Sequence, residues 1–297
     1  MVGIDQREAA VIALGRGMFG SKTVEAKTFA DVQRLFGRLG TVNLIGVMTG
    51  YFACAVEMPA IDQQLLEGQQ PLLPPRPAKA AAATHGAPIA HAAAAALAAA
   101  LPQDIDPASR NRLPLPVRSE MDDAGKSVFD RVTRESPLLG VQVSRVRLHS
   151  PRLAGPFDDA RRYLVYDSGL SARLVEITVL ATARERDSQY VWTQWETYGR
   201  DPRDPRHIEP AAIDAIKYGK PLTGIGEREA AIVTLAREAF GRGVVSSGTF
   251  ADVLRLFGRR GTIDVLELMV LYSAEAAECV ALDQQLLEGQ QPLLPAR

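Results

Sequence analysis

The chain has 297 residues, of which 46% are hydrophobic and 23% are charged. This composition is typical of a globular protein with a sizeable core, in one large or two modest domains. The 34 basic and 35 acidic residues leave a net charge of −1. Because such a balance provides no field to hold a polyanion or an anionic membrane, we expect neither nucleic acid nor membrane as a partner.

The cysteines and histidines are too few and too scattered for a disulfide framework or a metal centre. The two cysteines, Cys54 and Cys279, form no Cys-x-x-Cys motif, and the four histidines show no ligand spacing. We therefore expect no metal centre. The N-terminus shows no signal peptide, so a cytoplasmic location is the default expectation.

An internal repeat organises the chain. Gly3–Pro74 aligns without a gap with Gly224–Pro295, and 42 of the 72 aligned positions are identical. The match is complete over DQQLLEGQQPLLP, at residues 62–74 and 283–295. Chance does not produce such a match, so we interpret the repeat as a duplication.

Each copy predicts the same helices in the same order. In the first copy, Arg7–Phe19 places apolar residues at helical spacing, and Thr28 opens a second helix with an acidic residue three positions later. Gly37 and Gly40 predict the end of that helix. A longer apolar helix is expected over Thr41–Leu65, and the second copy repeats these features 221 positions further on.

The sequence between the copies also predicts helices. Apolar residues recur at helical spacing in each of these segments, and no segment alternates with a period of two, so the fold class is all-α. The predicted helices are Glu120–Arg134, Pro156–Asp167, Ser171–Arg184, Asp187–Tyr198 and Glu209–Tyr218.

The two copies differ in context, because only the second is preceded by further helical sequence. We predict a half-domain over 1–74, a Pro/Ala-rich linker over 75–109 and a complete domain over 110–297. The Ala-rich run 79–101 is either a functional linker or the relic of a signal sequence. A half-domain exposes apolar faces, so we expect the homologous surface of the second copy to cover them, in the same or a neighbouring chain.

Three stretches resemble a known family. They are LHSPRLAGPFDDARRYLVYDSGLSARLVEITVLATAR (148–184), DSQYVWTQWE (187–196) and the second copy through LYSAEAAECVALDQQLLEGQQPLLP (271–295). In order and spacing they are similar to the carboxymuconolactone decarboxylase/alkylhydroperoxidase-D-like family over most of 111–297. The resemblance implies a helical bundle that assembles into dimers, trimers or hexamers, with pockets between helices.

The thiol branch of that family reduces peroxides with a Glu, a Cys-x-x-Cys pair and a His. By resemblance, Glu176 stands at the position of the glutamate, but Gln189 and Trp192 replace the cysteines and Glu196 stands near the histidine. Glutamine and tryptophan are not redox nucleophiles. We therefore exclude thiol peroxidase activity.

The decarboxylase branch needs no cofactor and uses a Glu and a His four residues apart. Val191 and Trp195 replace them here, and neither transfers protons at neutral pH. Proton transfer would therefore require other residues, and the candidate catalytic residues are Glu176, Glu196 and His149.

Each catalytic candidate has a structural alternative. Burial of Glu176 within LVEITVL would raise its pKa and suit a general acid or base, whereas an ion pair with Arg173, three residues earlier, would only stabilise a helix surface. His149 could carry a proton or could simply occupy a helix start.

The binding candidates lie on the predicted helix 187–198. Gln189, Trp192 and Glu196 share one face, with Trp195 beside it, and could enclose a flat unsaturated carbonyl compound. Packing of the indoles between helices would produce the same pattern. The candidate substrate-binding residues are Gln189, Tyr190, Trp192, Trp195 and Arg173.

Two functions remain open from the sequence. The first is a cofactor-free lyase, isomerase or hydrolase that acts on a small unsaturated lactone or carboxylate. The second is a non-catalytic assembly or small-molecule-binding protein. In both cases we expect a homo-oligomer.

Overall fold

A computed structural model of the chain describes residues 3–70, 72, 101–135 and 142–296. Over these ranges the protein is all-helical, with an isolated bridge between Asp106 and Asn111 and no strand. The predicted all-α class is confirmed. Most of the Ala-rich run 79–101, with His85 and His91, lies outside the described residues.

Ten α-helices are described, and short π-helical or 3-10 turns extend or precede several of them. The five helices predicted between the copies are observed, with boundaries shifted by a few residues. The helices are α1 (Gln6–Arg16), α2 (Ala26–Ala60), α3 (Asp123–Glu135), α4 (Gln142–Val146), α5 (Pro151–Arg162), α6 (Ala172–Arg186), α7 (Gln189–Gly199), α8 (Pro210–Lys217), α9 (Glu227–Ala236) and α10 (Ser247–Leu282).

Both copies of the repeat have the same elements: a helix, a π-helical turn and a long kinked helix. The kink lies at Gly37 in α2 and at Gly258 in α10, where φ is 67° and 66°. Glycine adopts this conformation without strain. The backbone at each glycine is not helical, and Thr41 Oγ1 donates to the Gly37 carbonyl at 2.7 Å just as Thr262 does to that of Gly258. The two helices predicted on either side of each glycine are therefore observed, and they are joined at a kink.

The two copies pack against each other within one chain. Helix α2 lies along α10, and the π-helical turn of each copy contacts the long helix of the other. The first copy also contacts the sequence between the copies. The Arg186 guanidinium lies 4.4 Å from the centre of the Phe52 ring, and Lys22 and Asp187 form an ion pair of 2.9 Å. The expected homologous surface therefore covers part of the first copy.

The equivalent long helices have different surroundings. Helix α10 packs against α2, α4, α6, α7 and α9, whereas among the described residues no helix lies along α2 as α6 lies along α10. Its side chains Val47, Tyr51, Cys54 and Met58 are consequently exposed and form an apolar stripe. By length and composition α2 is also the one described helix that could cross a membrane, a test that core helices also pass.

The predicted linker is shorter than expected, because residues 101–109 belong to the folded part. Ile105 is buried, and the backbone of Arg110 accepts a hydrogen bond of 2.8 Å from Gln285 N. The neighbouring Asn111 donates to Gln284 Oε1 at 2.9 Å. The repeat tail of the second copy therefore holds this segment in place, and the boundary predicted at residue 109 is too late.

Candidate functional site

Glu176 lies in α6, a helix that is buried over most of its length. Helix α6 begins after Ser171, whose hydroxyl accepts from Leu174 N, and all residues from Leu174 to Arg184 are buried. The Glu176 side chain is 0% exposed, and neither of its carboxyl oxygens has a hydrogen-bond partner among the described residues. An unpaired buried carboxylate is costly. Burial accordingly raises the pKa of Glu176 well above its usual value, and the neutral acid is favoured.

Arg173 does not pair with Glu176. Its guanidinium binds Glu229 at 2.5 Å, contacts Glu209 and donates to the His207 carbonyl at 2.9 Å. The hydrogen bond to Glu229 is the main reason that the pKa of Arg173 is raised. The interpretation of Glu176 as half of a helix-surface ion pair is therefore wrong, and Arg173 already has two carboxylate partners.

Gly199, at the end of α7, lies against the Glu176 carboxyl. A Cβ placed on Gly199 would be 3.2 Å from Glu176 Oε1. The chain then makes a loop and returns to the same point, because Ile208 N donates to the Gly199 carbonyl at 2.9 Å and His207 Nδ1 lies 3.1 Å from that oxygen. The loop 200–208 is thereby held beside Glu176.

That loop contains the tandem sequence Asp-Pro-Arg-Asp-Pro-Arg at 201–206. In each unit the Asp accepts from the backbone N of the Arg two residues later and pairs with its guanidinium. The two arginines nevertheless differ, since the Arg203 side chain is 90% exposed and that of Arg206 is 20% exposed. The Arg206 guanidinium lies 3.7 Å from the centre of the Tyr198 ring. Arg206 therefore lies between solvent and the interior.

Aromatic rings form the wall beside Arg206. Trp195 is buried, its ring centre is 5.9 Å from the Arg206 guanidinium, and it meets Tyr272 of α10 edge-on at 5.1 Å. Burial raises the pKa of Tyr272 well above its usual value, so its phenol stays protonated. The name "Glu176 site" is used below for Glu176, Trp195, Tyr198, Gly199, Arg206 and Tyr272.

Trp192 and Glu196 belong to a different, fully paired cluster. Trp192 is 0% exposed and donates through Nε1 to Glu196 Oε2 at 2.5 Å. Glu196 Oε1 accepts from Lys217 at 2.6 Å and from Arg200 at 2.7 Å. This carboxylate joins α7 to α8, and the Trp192 ring is enclosed by protein rather than facing an open pocket.

Gln189 and Tyr190 are also engaged with protein. In the amide orientation that satisfies its hydrogen bonds, Gln189 accepts from the backbone N atoms of Leu293 and Leu294 at 2.8 and 2.9 Å. It thereby binds the repeat tail of the second copy. Tyr190 is buried in the core. The three residues predicted to share one binding face therefore have different partners. Gln189 binds the tail of the second copy, whereas Trp192 and Glu196 belong to the contact with α8.

His149 lies in a 3-10 turn that packs mainly on α5, α4 and α2. Its Nε2 is 2.7 Å from the Pro114 carbonyl oxygen. Burial lowers the pKa of the imidazole, Arg38 adds to this effect, and the Pro114 carbonyl opposes it. Among the described residues its hydrogen-bond partner is Pro114, not a member of the Glu176 site.

The cysteines and acidic residues suggest no metal centre in the ranges that the structure describes. No group of three or more His, Cys, Asp and Glu side chains there could hold an ion. Cys54 is exposed, whereas burial raises the pKa of the Cys279 thiol well above its usual value.

Comparison of the chain with protein-family models, curated proteins and solved structures gives no match. The functional argument therefore rests on the geometry of the Glu176 site. Arg206, its polar residue nearest to solvent, was not among the candidates from the sequence. The Asp-Pro-Arg tandem is the sequence feature that could have drawn attention to this loop, but the sequence does not show which of its two arginines turns inward.

Proposed function

We propose that this chain is a carboxymuconolactone-decarboxylase-like protein that acts without a cofactor on a small unsaturated lactone or carboxylate. Its reaction is that of a lyase, isomerase or hydrolase, with Glu176 as the proton-transferring group. The observation that carries this proposal is the complete burial of the Glu176 carboxyl without a hydrogen-bond partner. Carboxyl groups with raised pKa values in apolar surroundings are frequent general acids.

The proposed chemistry follows from the neutral state of Glu176. When a substrate loses CO2, the electron pair of the broken bond is left on carbon, and Glu176 would protonate that carbon. The Glu176 carboxylate so formed lies within the electrostatic influence of Arg206, which favours the charged form. Water would return the proton. For an isomerisation, the same carboxylate would instead remove a proton from a second carbon.

The aromatic residues suit a flat substrate. Trp195 and Tyr198 place aromatic rings 5.9 and 3.7 Å from the Arg206 guanidinium, and aromatic surroundings of this kind are compatible with an unsaturated substrate. Glu196 is not proposed as a second acid, because Trp192, Lys217 and Arg200 already bind its carboxylate.

The proposal extends to the fold, with which the all-helical architecture is compatible. We propose an alkylhydroperoxidase-D-like bundle over 110–297, to which a duplicate of its C-terminal half, residues 1–74, has been added. The identical order of helix, π-helical turn and kinked helix in the two copies supports the duplication. Fold-level analogy does not establish the reaction, so the activity must be tested directly.

The test is turnover of a panel of muconolactones and related unsaturated lactones and carboxylates, followed by product analysis. Glu176→Gln preserves the shape of the side chain and removes the transferable proton, so turnover should fall by about a hundredfold or more. Glu288→Gln, on an exposed carboxyl, is the control and should keep full activity. Equal turnover by wild type and Glu176→Gln would exclude the proposed role.

The second candidate is a non-catalytic assembly or ligand-binding protein that forms a homo-oligomer. The apolar stripe of α2 favours it, because contiguous exposed apolar surfaces mark interaction sites. Light scattering of the full chain and of a chain lacking residues 1–74 would test it. A monomer in both cases would exclude assembly through the first copy.

A further inference from the structure

A cavity lies between α8 and the loop 218–226, and no residue of the Glu176 site lines it. Its volume is about 540 Å³, within the range of roughly 300–1,000 Å³ that small-molecule sites occupy. We infer that this cavity binds a basic α-amino acid, a molecule of the lysine type with two ammonium groups and one carboxylate. The inference goes beyond the proposed function, because it concerns a second ligand at a separate site.

The walls of the cavity are held in place by the rest of the fold. On one side, Ala212 and Ala215 of α8 are buried and form part of the lining. On the other side, Ile225 packs against the hydrophobic core, and Arg237 donates to the carbonyl oxygens of Ala215 and Lys220 at 3.0 and 3.1 Å. Because both walls are anchored, a ligand does not have to order them on binding.

The charges that line the cavity restrict the class of ligand. Two cations and three carboxylates line it, so the lining has a net charge of −1. The carboxylates repel a simple anion, and Lys220 repels a simple dication. A ligand with two ammonium groups and one carboxylate balances the lining and offers each sign of charge a partner. The charged lining residues are Arg173, Glu209, Asp214, Lys220 and Glu229.

Three of these five side chains retain the capacity to bind a ligand. Arg173 and Glu229 are paired with each other at 2.5 Å. By contrast, no group in the described part of the chain donates a hydrogen bond to the Asp214 carboxylate, and Lys220 Nζ lies 3.9 Å from it. Arg173 binds Glu209 through Oε2, which leaves Oε1 for another donor.

The positions of Asp214, Lys220 and Glu209 match the charged groups of a basic amino acid. Asp214 and Lys220 have opposite charges 3.9 Å apart, so the α-ammonium can bind Asp214 while the adjacent carboxylate binds Lys220. Glu209 precedes Asp214 by five residues, about 7.5 Å along the axis of α8. An extended side chain of the lysine type spans a similar distance between its two ammonium groups, so its second ammonium can reach Glu209.

Asp31 of α2 provides a matched control for Asp214. It is also an aspartate between two cations, since Lys27 and Arg34 lie 2.6 and 3.1 Å from its carboxylate. It does not line the cavity. A general effect of losing one negative charge is therefore shared by the two aspartates, whereas an effect found only at Asp214 must come from the cavity.

The experiment measures binding of L-lysine, L-norleucine and cadaverine to the full-length protein by calorimetry at neutral pH. Norleucine lacks the side-chain ammonium, and cadaverine lacks the carboxylate. Each should bind wild type about tenfold or more weakly than lysine, since one charge-assisted contact is lost. Asp214→Asn should weaken lysine binding by a similar factor, whereas Asp31→Asn should leave it unchanged. Circular dichroism verifies that each variant folds.

The two ends of the ligand are assigned by separate variants. Glu209→Gln removes the partner of the side-chain ammonium, so this variant should bind lysine and norleucine with nearly equal affinity. Asp214→Asn should instead weaken the binding of both. If Asp214→Asn does not fold, Lys220→Met takes its place. It removes the partner of the carboxylate and should weaken lysine and norleucine binding but not that of cadaverine.

Four results would overturn the inference. No binding of lysine at millimolar concentration would exclude the site, and equal lysine affinity of Asp214→Asn and Asp31→Asn would exclude its location. Equal binding of lysine and cadaverine by wild type would show a general attraction of cations. Equal binding of lysine and norleucine by wild type would exclude the basic class. None of these measurements involves turnover, so their outcome is independent of the proposed function.

Discussion

Because Gly199 of α7 has no side chain, the carboxyl of Glu176 on α6 fits against it. A larger residue at position 199 would displace that carboxyl. A Cβ at Gly199 would contact Oε1, Cγ and Cδ of Glu176 at 3.2 to 3.6 Å. Glu176 is itself enclosed, so it has little space into which to move. The pairing of a glycine and a buried acid therefore determines how closely α6 and α7 approach.

Gly199→Ala should lower the free energy of unfolding by about 1–3 kcal/mol through overpacking. Urea unfolding monitored by circular dichroism measures the change. Gly50→Ala is the control, because Gly50 is an exposed helical residue with no atom near its missing Cβ. That variant should be neutral or slightly more stable, as alanine favours the helix. If both variants behave alike, the close packing at Gly199 is not significant.

Glu176 should make the stability of the protein fall as pH rises. Its folded pKa lies well above the unfolded value of roughly 4.3, so the folded state retains a proton that the unfolded state has lost. Stability is highest below the unfolded pKa and decreases through the window up to the folded pKa. Urea titrations between pH 5 and pH 8 should show this decrease in wild type.

Glu176→Gln should remove that component, so its stability should depend less on pH than that of wild type over the same range. Glu288→Gln, whose carboxyl is exposed, should follow the wild-type profile. Parallel profiles for wild type and Glu176→Gln would show that Glu176 is ionised in the folded protein and would remove the basis for a general acid.

The paired cluster around Glu196 should affect stability rather than catalysis. Glu196→Gln leaves the ammonium of Lys217, which is 7% exposed, without its carboxylate partner. Losing one member of a buried pair costs about 3–5 kcal/mol. Arg200 is partly exposed and can turn toward solvent.

The double variant Glu196→Gln/Lys217→Met should recover part of that loss, because the unpaired ammonium is also gone. Urea unfolding of the two single variants and the double variant gives the coupling free energy. In turnover assays Glu196→Gln should keep kcat at temperatures at which it is folded. A large loss of kcat in a stably folded Glu196→Gln protein would contradict this division between the two glutamates.

Tyr51 and Tyr272 occupy equivalent positions of the repeat, but Tyr51 is 77% exposed and Tyr272 is 2% exposed. Tyr272→Ala should cost about 3–5 kcal/mol, since it empties the space beside Trp195. Tyr51→Ala should change the stability of the isolated chain by no more than about 0.5 kcal/mol. Thermal unfolding at several protein concentrations is the measurement. A large, concentration-dependent effect of Tyr51→Ala would show that another chain covers the stripe.

Local sequence was sufficient to predict most of the described helices, although not α4. Apolar spacing predicted the helices of each copy, and the Gly37 and Thr41 signals correctly located the break between two of them. The apolar neighbours Val175 and Ile177 made burial of Glu176 one of two alternatives, and the structure shows that it is buried. These features depend on residues within one or two helical turns, and the sequence specifies such spacings directly.

Partners from distant parts of the chain were not predictable in this way. The sequence suggested Arg173 for Glu176, but the fold gives Arg173 to Glu229 and Glu209. It likewise suggested that Glu196 and Trp192 line a pocket, whereas in the fold Lys217 of α8 binds the Glu196 carboxylate. Such pairings depend on how helices from distant parts of the chain pack together. The spacing of residues within one helix does not specify that packing.

The sequence by itself determined an all-helical chain with a repeated unit and a carboxyl set among apolar residues. The tertiary structure alone decided which of two identical local patterns is buried. Arg203 and Arg206 share one turn and differ in exposure, and Tyr51 and Tyr272 share one repeat position and differ in the same way. The physical reason is that burial depends on contacts with distant elements, and only one member of each pair has α6 and α7 beside it.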